Sequence, residues 1–338
     1  MCSTPPTLSD MPFLLLNKIF SKTDFESIQK LRKTCRSFRR FIDDEKPEGN
    51  LKDISVYLEE TTIFIVYESA DNQWSVSYEA DEDGKVIETC QNSEGEKGVF
   101  VHLEDGETEL SIAMKDLQLI LNNRKQPLNL LNVFNQTGIT ADYQRVLEKL
   151  NEMLRSNGRR LPVESLLIDA RSEKQILLVL LNLDPAFLKS IESHYYGRKQ
   201  RPLVIKKLKT LEHWKNAEKL TLSSECNTVN FQDILHFSSC DICLESVVIG
   251  DLMQLKTIFL SSESKDTFTF KYTYFEQMPR FIELMGPEFR QPMASVQWWF
   301  RYANRDKVLS VLLDKSARQI TFKRSETTDV PEEGVIQE

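Results

Sequence analysis

The chain has 338 residues, of which 41% are hydrophobic and 28% charged, so it has room for two or three domains of ordinary globular composition. Its net charge of −8 conceals a block at 51–110 with three Lys, no Arg and sixteen Asp/Glu, which disfavours non-specific nucleic-acid binding. Six scattered cysteines and the lack of a long apolar run argue against a disulfide framework, a signal peptide and a membrane span, and they favour an intracellular location, in the cytoplasm or the nucleus.

Residues 8–45 carry the pattern of short helices. Thr23 and Glu26 have the spacing of a capping box, which predicts a second helix beginning near Asp24. An apolar stripe at steps of three or four follows, formed by Ile28, Leu31, Cys35, Phe38 and Ile42. The residues on the other side are largely basic, between Lys30 and Arg40. We expect three short helices here.

Residues 51–125 switch to the period of a β-strand. Alternating or β-branched runs occupy 54–58, 62–67, 74–78 and 99–103, and Asp-Asn or Asp-Gly pairs between them signal turns. These runs predict a small antiparallel sheet with acidic loops and one solvated face. A helical segment follows from Ile112 to Asn122, and Pro127 marks a linker.

Residues 129–325 alternate helical and strand-like segments. The patterns predict helices at 140–157, 172–181, 203–214, 229–237, 251–261 and 274–285, and strands at 165–168, 219–222, 244–249, 267–270, 295–300 and 319–322. The segments 217–222 and 244–249 loosely follow an L-x-x-L-x-L pattern, which favours an irregular leucine-rich-repeat-like α/β domain. From Val296 onward the pattern is that of antiparallel strands with a turn at 301–307. Residues 326–338 are polar and are expected to be a disordered tail.

The first 45 residues resemble an F-box. The resemblance rests on Met11-Pro12, Leu15, Ile19, Asp24-Phe25, Ile28, Leu31, Cys35-Arg36, Phe38-Arg39 and Phe41-Ile42-Asp43. The segment is similar in particular to the large nematode F-box family with an FTH-type domain, the F-box A type. The order of an acidic β region, the segment 115–121 and a long Leu-rich part agrees with that family. Met11 replaces the commoner Leu, and Thr23 stands where an apolar residue is usual, a change that could weaken docking.

The resemblance implies a multidomain α+β or α/β protein with an F-box at 8–45, an acidic β region at 51–125 and an FTH-like target-binding domain at 129–325. In that family the F-box binds the Skp adaptor of a cullin–RING ubiquitin ligase, and the FTH-type domain is taken to select protein targets. The chain would then be a non-catalytic substrate-recognition adaptor of an SCF-type ligase. The implied Skp-binding residues are Pro12, Leu15, Leu16, Ile19, Phe25, Ile28, Leu31 and Cys35.

Spacing alone leaves a plainer alternative for the N-terminal helices, because an apolar stripe more often packs inside a chain than against a partner. The helices would then pack only against the acidic β region. The ordered family pattern favours docking instead. A module of about 35 residues is also smaller than a self-sufficient core usually requires, so a partner's helices would supply the missing surface.

Candidate target contacts come from two aromatic groups. In a strand, Trp298 and Phe300 would face the core while Trp299 points outward, so Trp299 and the nearby Tyr302 are candidates. The second group is Tyr195 and Tyr196, in a loop-like setting with His194 and Arg198 before Pro202.

No catalytic motif is present, and we expect neither a cofactor nor a metal. His236, Cys240 and Cys243 are the best metal-like cluster, but buried structural thiols are the commoner explanation. The acidic segment 79–83 lacks a calcium-loop pattern, and the basic run 30–40 lacks aromatic stacking partners for nucleic acid. A binding module that no longer docks a ligase is the main alternative function, and an enzyme with an unrecognised site ranks last.

Overall fold

The computed structural model describes residues 8, 11–45, 47, 49–60, 62–70, 72–80, 86–92, 95–101, 107–122, 124, 126–136, 140–195, 202–226, 229–290, 295–302 and 306–337. The chain divides into two compact units. The first comprises Met1–Ile168 and Leu178–Leu188, and the second comprises Asp169–Leu177 and Lys189–Glu338.

Three short helices open the first unit, as the sequence predicts: α1 (Phe13–Phe20), α2 (Phe25–Thr34) and α3 (Arg36–Glu45). Asp24 caps α2, because its Oδ1 accepts a hydrogen bond from the Ser27 backbone N–H at 2.8 Å. The capping box predicted from Thr23 is therefore wrong, since the Thr23 hydroxyl donates back to the Ile19 carbonyl at 2.9 Å. The apolar stripe also breaks, because Cys35 has an extended backbone between α2 and α3.

The sheet of the first unit begins as the predicted antiparallel meander: β1 (Asp53–Glu59), β2 (Thr62–Glu68), β3 (Gln73–Ala80), β4 (Val86–Asn92) and β5 (Gly95–Val101). Strand β4 was not among the four runs that the sequence indicated. Two further strands, β6 (Leu128–Asn135) and β7 (Val163–Asp169), continue it in parallel beyond β1. Residues on either side of the predicted linker at Pro127 therefore share one sheet.

Two amphipathic helices cover this sheet. They are α4 (Glu109–Leu121), which agrees with the predicted helix, and α5 (Thr140–Ser156). Helix α4 contacts β2, β3 and α5. The buried Tyr143 of α5 donates its hydroxyl proton to the Val133 carbonyl of β6 at 2.9 Å. Strand β6 is covered in this way and flanked by β1 and β7, and five of its eight residues are apolar.

Four consecutive parallel strands begin the second unit: β8 (Ser190–His194), β9 (Lys219–Cys226), β10 (Ser239–Ser246) and β11 (Thr267–Tyr274). Helices precede or connect them: α6 (Glu173–Leu180), whose last residues belong to the first unit, α7 (Glu212–Asn216) and α8 (Ile249–Ser261). The helices predicted at 203–214 and 229–237 are largely wrong. These segments contain the short helix α7 and two single 3₁₀ turns, Leu208–Thr210 and Phe231–Asp233.

Antiparallel strands complete the second unit, as the sequence predicts. After α9 (Met278–Met285) come β12 (Phe289–Arg290), β13 (Ser295–Arg301), β14 (Lys307–Asp314) and β15 (Gln319–Glu326), and β15 pairs with β11. A last strand, β16 (Ile336–Gln337), pairs in parallel with β13. The prediction of a disordered tail at 326–338 is therefore wrong for residues 336–337, whose backbone takes part in the sheet.

Candidate protein-docking site

Helix α1 has two apolar faces with different surroundings. Leu16 and Phe20 face inward and form a small core with Ile28 of α2 and with Phe38 and Ile42 of α3. The apolar residues on the rest of the helix are exposed, with 80% of Leu14, 52% of Phe13 and 50% of Leu15 accessible and Met11 and Ile19 beside them, although the Phe13 ring also lies 5.4 Å from that of Phe41 on α3. Several exposed large apolar side chains on a short folded module are typical of a protein-interaction site.

The eight predicted docking residues do not share one face. The structure exposes Pro12, Leu15, Ile19 and Cys35, half-buries Leu31, and buries Leu16, Phe25 and Ile28. The two most exposed apolar residues of α1, Phe13 and Leu14, were missed by reasoning from the sequence. A signal was available, because a helix cannot turn every residue of the apolar run Met11–Leu16 toward one core.

Phe25 packs inside the first unit. Its ring centroid lies 5.3 Å from that of Tyr67 and 5.7 Å from that of Trp74, on strands β2 and β3. Gly49 makes the close approach possible: it has a φ of +58°, and a Cβ atom there would lie 2.5 Å from the Cα of Phe25. Helix α2 is thus held against the β-sheet, as the plainer interpretation of the helical stripe predicts, while the outer face of α1 stays accessible.

The aromatic run on β13 is buried on both faces of the strand. Trp298, Trp299 and Phe300 are each at most 2% exposed, and Tyr302 is 6% exposed. The prediction that Trp299 points outward is therefore wrong. Its second face is covered by Phe289, whose ring lies 5.5 Å away, and by the backbone at Gly334. Trp299 and Tyr302 cannot reach a partner without opening this core.

Tyr195 is also buried, beneath the Arg171 guanidinium, whose carbon lies 4.7 Å from the ring centroid. Its backbone N–H donates to the Ser223 hydroxyl at 3.0 Å. The other candidates of this cluster, Tyr196 and Arg198, lie outside the described residues. The cluster is a packed part of the second unit where the structure describes it.

Asp169 is buried beside this cluster, and its Oδ1 has no hydrogen-bond partner among the described residues. Burial raises the pKa of its carboxyl to about 6, against the opposing effects of Arg171 and His194. Because the folded chain holds the proton more tightly than the unfolded chain, this group destabilises the fold above its folded pKa. The penalty is relieved as the pH falls from about 6 towards 4.

Asp169→Asn is therefore expected to remove a pH dependence. The wild-type chain should gain on the order of 2–3 kcal/mol relative to this variant as the pH falls from 7 to 4.5. Urea unfolding of both chains at pH 4.5, 5.5, 6.5 and 7.5 measures the difference. Asp266→Asn, at an exposed position, serves as the control and should track the wild type. Parallel curves for wild type and Asp169→Asn would contradict the assignment.

The surroundings of the cysteine thiols and of His236 indicate a structural role for these residues. Burial raises the pKa of Cys226 to about 12, and it also raises the pKa of Cys240 and of Cys243, which disfavours the thiolate that a metal requires. His236 Nε2 lies 2.8 Å from the Trp214 carbonyl, and the His236 ring centroid is 4.0 Å from that of Phe237. Within the described ranges no group of three potential ligands has a metal-binding arrangement. Among those residues, too, none of the helices combines the length and hydropathy of a membrane span.

Comparison with known proteins assigns both parts of the chain. Residues 8–48 match the F-box domain, and residues 144–285 match the FTH domain. The chain is 26% identical to "F-box A protein 155" from Caenorhabditis elegans over 189 residues, which are 54% of this chain and 43% of that protein. No solved structure matches the chain. The match to the F-box domain contains the helices α1–α3 with their exposed apolar residues, and the match to the FTH domain runs from α5 to α9.

Proposed function

We propose that this chain is a substrate-recognition adaptor of an SCF-type E3 ubiquitin ligase. Its F-box would bind a Skp-type adaptor, and its FTH-containing region, within 129–325, would bind a protein target. The chain itself would be non-catalytic and would act by holding the target near the ubiquitin carrier, which raises the effective concentration of the reacting groups. The proposal keeps the expected intracellular location, and the leucine-rich-repeat-like character of 129–325 stays a prediction.

The exposed apolar face of α1 carries the proposal. Phe13, Leu14 and Leu15 are each half or more exposed in a helix whose opposite side already fills the three-helix core. Leaving such residues in water is unfavourable by about 25 cal/mol for each Å² of apolar surface, and a partner groove would remove that cost. Polar groups in the second half of α1 already have partners within the chain: the Asn17 side chain donates to Glu45 at 3.3 Å, and the Thr23 hydroxyl donates to the Ile19 carbonyl. The outer face is thus the part of α1 available to a partner.

The alternative is a protein-interaction module that no longer docks a ligase. Two observations favour it: Phe25 is engaged by the β-sheet of the first unit, and Thr23 replaces a usual apolar residue. Both functions share target binding and differ only in the adaptor contact. Direct binding to a purified Skp-type adaptor therefore separates them.

Leu15→Asp/Ile19→Asp is expected to abolish adaptor binding without unfolding the chain. Both side chains lie on the exposed face, so the variant places two charges in an interface that the partner would desolvate. We expect a loss of at least about 100-fold in Kd by isothermal titration calorimetry, equivalent to about 2.7 kcal/mol. Circular dichroism and thermal unfolding should remain those of the wild type.

Leu119→Asp is the matched control, because it makes the same chemical change at an exposed leucine of α4, outside the F-box. It should bind the adaptor with wild-type affinity. If the intact chain fails to bind, the ligase role is rejected and the stand-alone module is the better account. If the double variant binds as tightly as the wild type, the adaptor uses a different surface.

A further inference from the structure

The three parallel strands β9, β10 and β11 end at the same edge of the second unit, at Cys226, Ser246 and Tyr274. Two depressions lie at this edge, and both are lined by the segment Glu245–Val248. Side chains beyond the carboxyl ends of parallel strands are free of the sheet's own packing, so binding sites frequently form there. The edge is distinct from α1, which belongs to the first unit.

The first depression is a partly open cavity of about 130 Å³, lined by apolar side chains and also by Glu245 and Asp251. Its walls include Ile234, Ile242, Leu244, Leu252 and Phe270. An apolar cavity of about 150 Å³ holds one benzene molecule, so this one has room for a single aromatic or branched aliphatic side chain. Val247 and Val248, between the end of β10 and the beginning of α8, also line this cavity.

The second depression, which shares the segment Glu245–Val248 with the first, is lined by exposed side chains. Val248 is 56% exposed and Tyr274 60% exposed, and both line it together with Glu276 and Gln277. The Tyr274 carbonyl accepts the Val247 backbone N–H at 3.2 Å, which fixes the two rims of the groove to each other. An exposed tyrosine beside an aliphatic side chain offers a partner a large contact area with few rotatable bonds.

Among the described residues that line the two depressions, all the charged side chains are acidic. Glu245 and Glu276 are exposed, Asp251 lies at the start of α8, and the sequence has neither Lys nor Arg at 244–252 or 272–279. The nearest preceding cation on β11, Lys271, has its Nζ 3.7 Å from Asp241. Glu225 accepts a hydrogen bond from the Thr273 hydroxyl at 2.9 Å, so its charge is already engaged. An acidic rim attracts a basic partner and repels an acidic one.

We propose that this groove is the target-contacting surface of the FTH-containing region, and that it takes a short basic peptide segment. One aromatic or branched apolar side chain of the peptide enters the cavity, and Lys or Arg residues next to it contact Glu245 and Glu276. The proposal deepens the proposed function and rests on its assignment of target binding to this region. It commits to a peptide because the cavity has room for one side chain and the described residues that line the two depressions supply acidic charge.

The first experiment is selection of a random heptapeptide phage library on the purified full-length chain, in low and in physiological salt. We expect enriched peptides to carry one Phe, Tyr, Trp, Leu or Ile with Lys or Arg within two positions. An enriched peptide, synthesised with a fluorescent label, then gives Kd values by anisotropy. Replacing its apolar residue by Ser should weaken binding at least 10-fold, and raising the salt should weaken it further.

Variants of the groove locate the binding site. Glu245→Lys/Glu276→Lys should weaken the peptide at least 10-fold, and Ser246→Trp, at an exposed position at the cavity mouth, should do the same without a change of charge. The matched control is Glu263→Lys/Glu332→Lys, which makes the same charge change at two exposed acids elsewhere in the unit and should alter Kd less than 2-fold. An absence of enrichment, an acidic consensus or wild-type binding by both groove variants would overturn the proposal.

Measuring adaptor binding by the same variants distinguishes failure of the groove proposal from failure of the proposed ligase role. The groove variants should bind a Skp-type adaptor as the wild type does, because α1 is unchanged. Peptide binding without adaptor binding would reject the ligase role and leave the groove standing. Adaptor binding without peptide binding would reject the groove and leave the ligase role standing.

Discussion

Replacing Phe25 by alanine is expected to destabilise the first unit by about 3–5 kcal/mol. The side chain is 6% exposed and packs against Tyr67 and Trp74, whose own rings are stacked 5.2 Å apart. Removing it opens a cavity between α2 and the β-sheet and deletes two aromatic contacts, each worth about 0.5–1.5 kcal/mol beyond the area they bury. The backbone at Gly49 sits against Phe25, so this part of the chain should loosen together with α2.

Two measurements test this expectation. Urea unfolding gives the loss of stability, and hydrogen exchange by mass spectrometry should show faster exchange in α2 and in residues 49–52 than in the second unit. Phe13→Ala is the control, because that ring is half-exposed and has one aromatic contact, with Phe41 at 5.4 Å, so the change should cost less than about 2 kcal/mol. Wild-type stability with lost adaptor binding would instead mean that Phe25 contacts the adaptor directly.

Trp298→Ala is expected to cost the second unit a similar amount, about 3–5 kcal/mol. The indole is fully buried, packs edge-on against Phe281 at 5.8 Å, and donates its Nε1–H to the Gly286 carbonyl at 3.1 Å. Truncation therefore leaves a cavity and also a carbonyl without its donor. Trp298→Phe should recover part of the packing but not the hydrogen bond.

The same unfolding assay, with tryptophan fluorescence as a second probe, measures the Trp298 variants. Tyr274→Ala is a matched truncation of an exposed aromatic residue in the same unit and should change stability by less than about 0.5 kcal/mol. Equal losses for Trp298→Ala and Tyr274→Ala would contradict the burial assigned to Trp298.

Local signals in the sequence were sufficient for much of the fold. The F-box helices, the antiparallel meander and helices α4 and α5 follow from periodicity and turn residues, because their apolar faces are set by neighbours close in sequence. The family pattern also located the F-box helices. It did not show which residues of these helices are buried, because the burial of Phe25 depends on Tyr67 and Trp74, which lie more than forty positions away.

Long-range packing decided the features that the sequence did not reveal. Strand β6 follows a predicted linker and is recognisable only once β1 and β7 flank it. The run Val247–Ile249 has strong β propensity, yet β10 ends at Ser246 and α8 begins at Ile249, which places Val247 and Val248 on the rim of the groove. The alternation of side chains along a strand wrongly predicted an exposed Trp299, because residues from elsewhere in the chain cover that side of the strand.

The pairing of β16 with β13 has a consequence for biosynthesis. Ile336 lies beside Trp299, and Gly334 packs on the indole ring, so the cover of β13 is translated well after the strand itself. Until then a nascent chain presents an aromatic strand with an open edge, the kind of surface that recruits chaperones and promotes aggregation. A premature stop after Ser325 would make that transient state permanent, and we expect such a product to be cleared by cellular quality control although it retains every F-box residue.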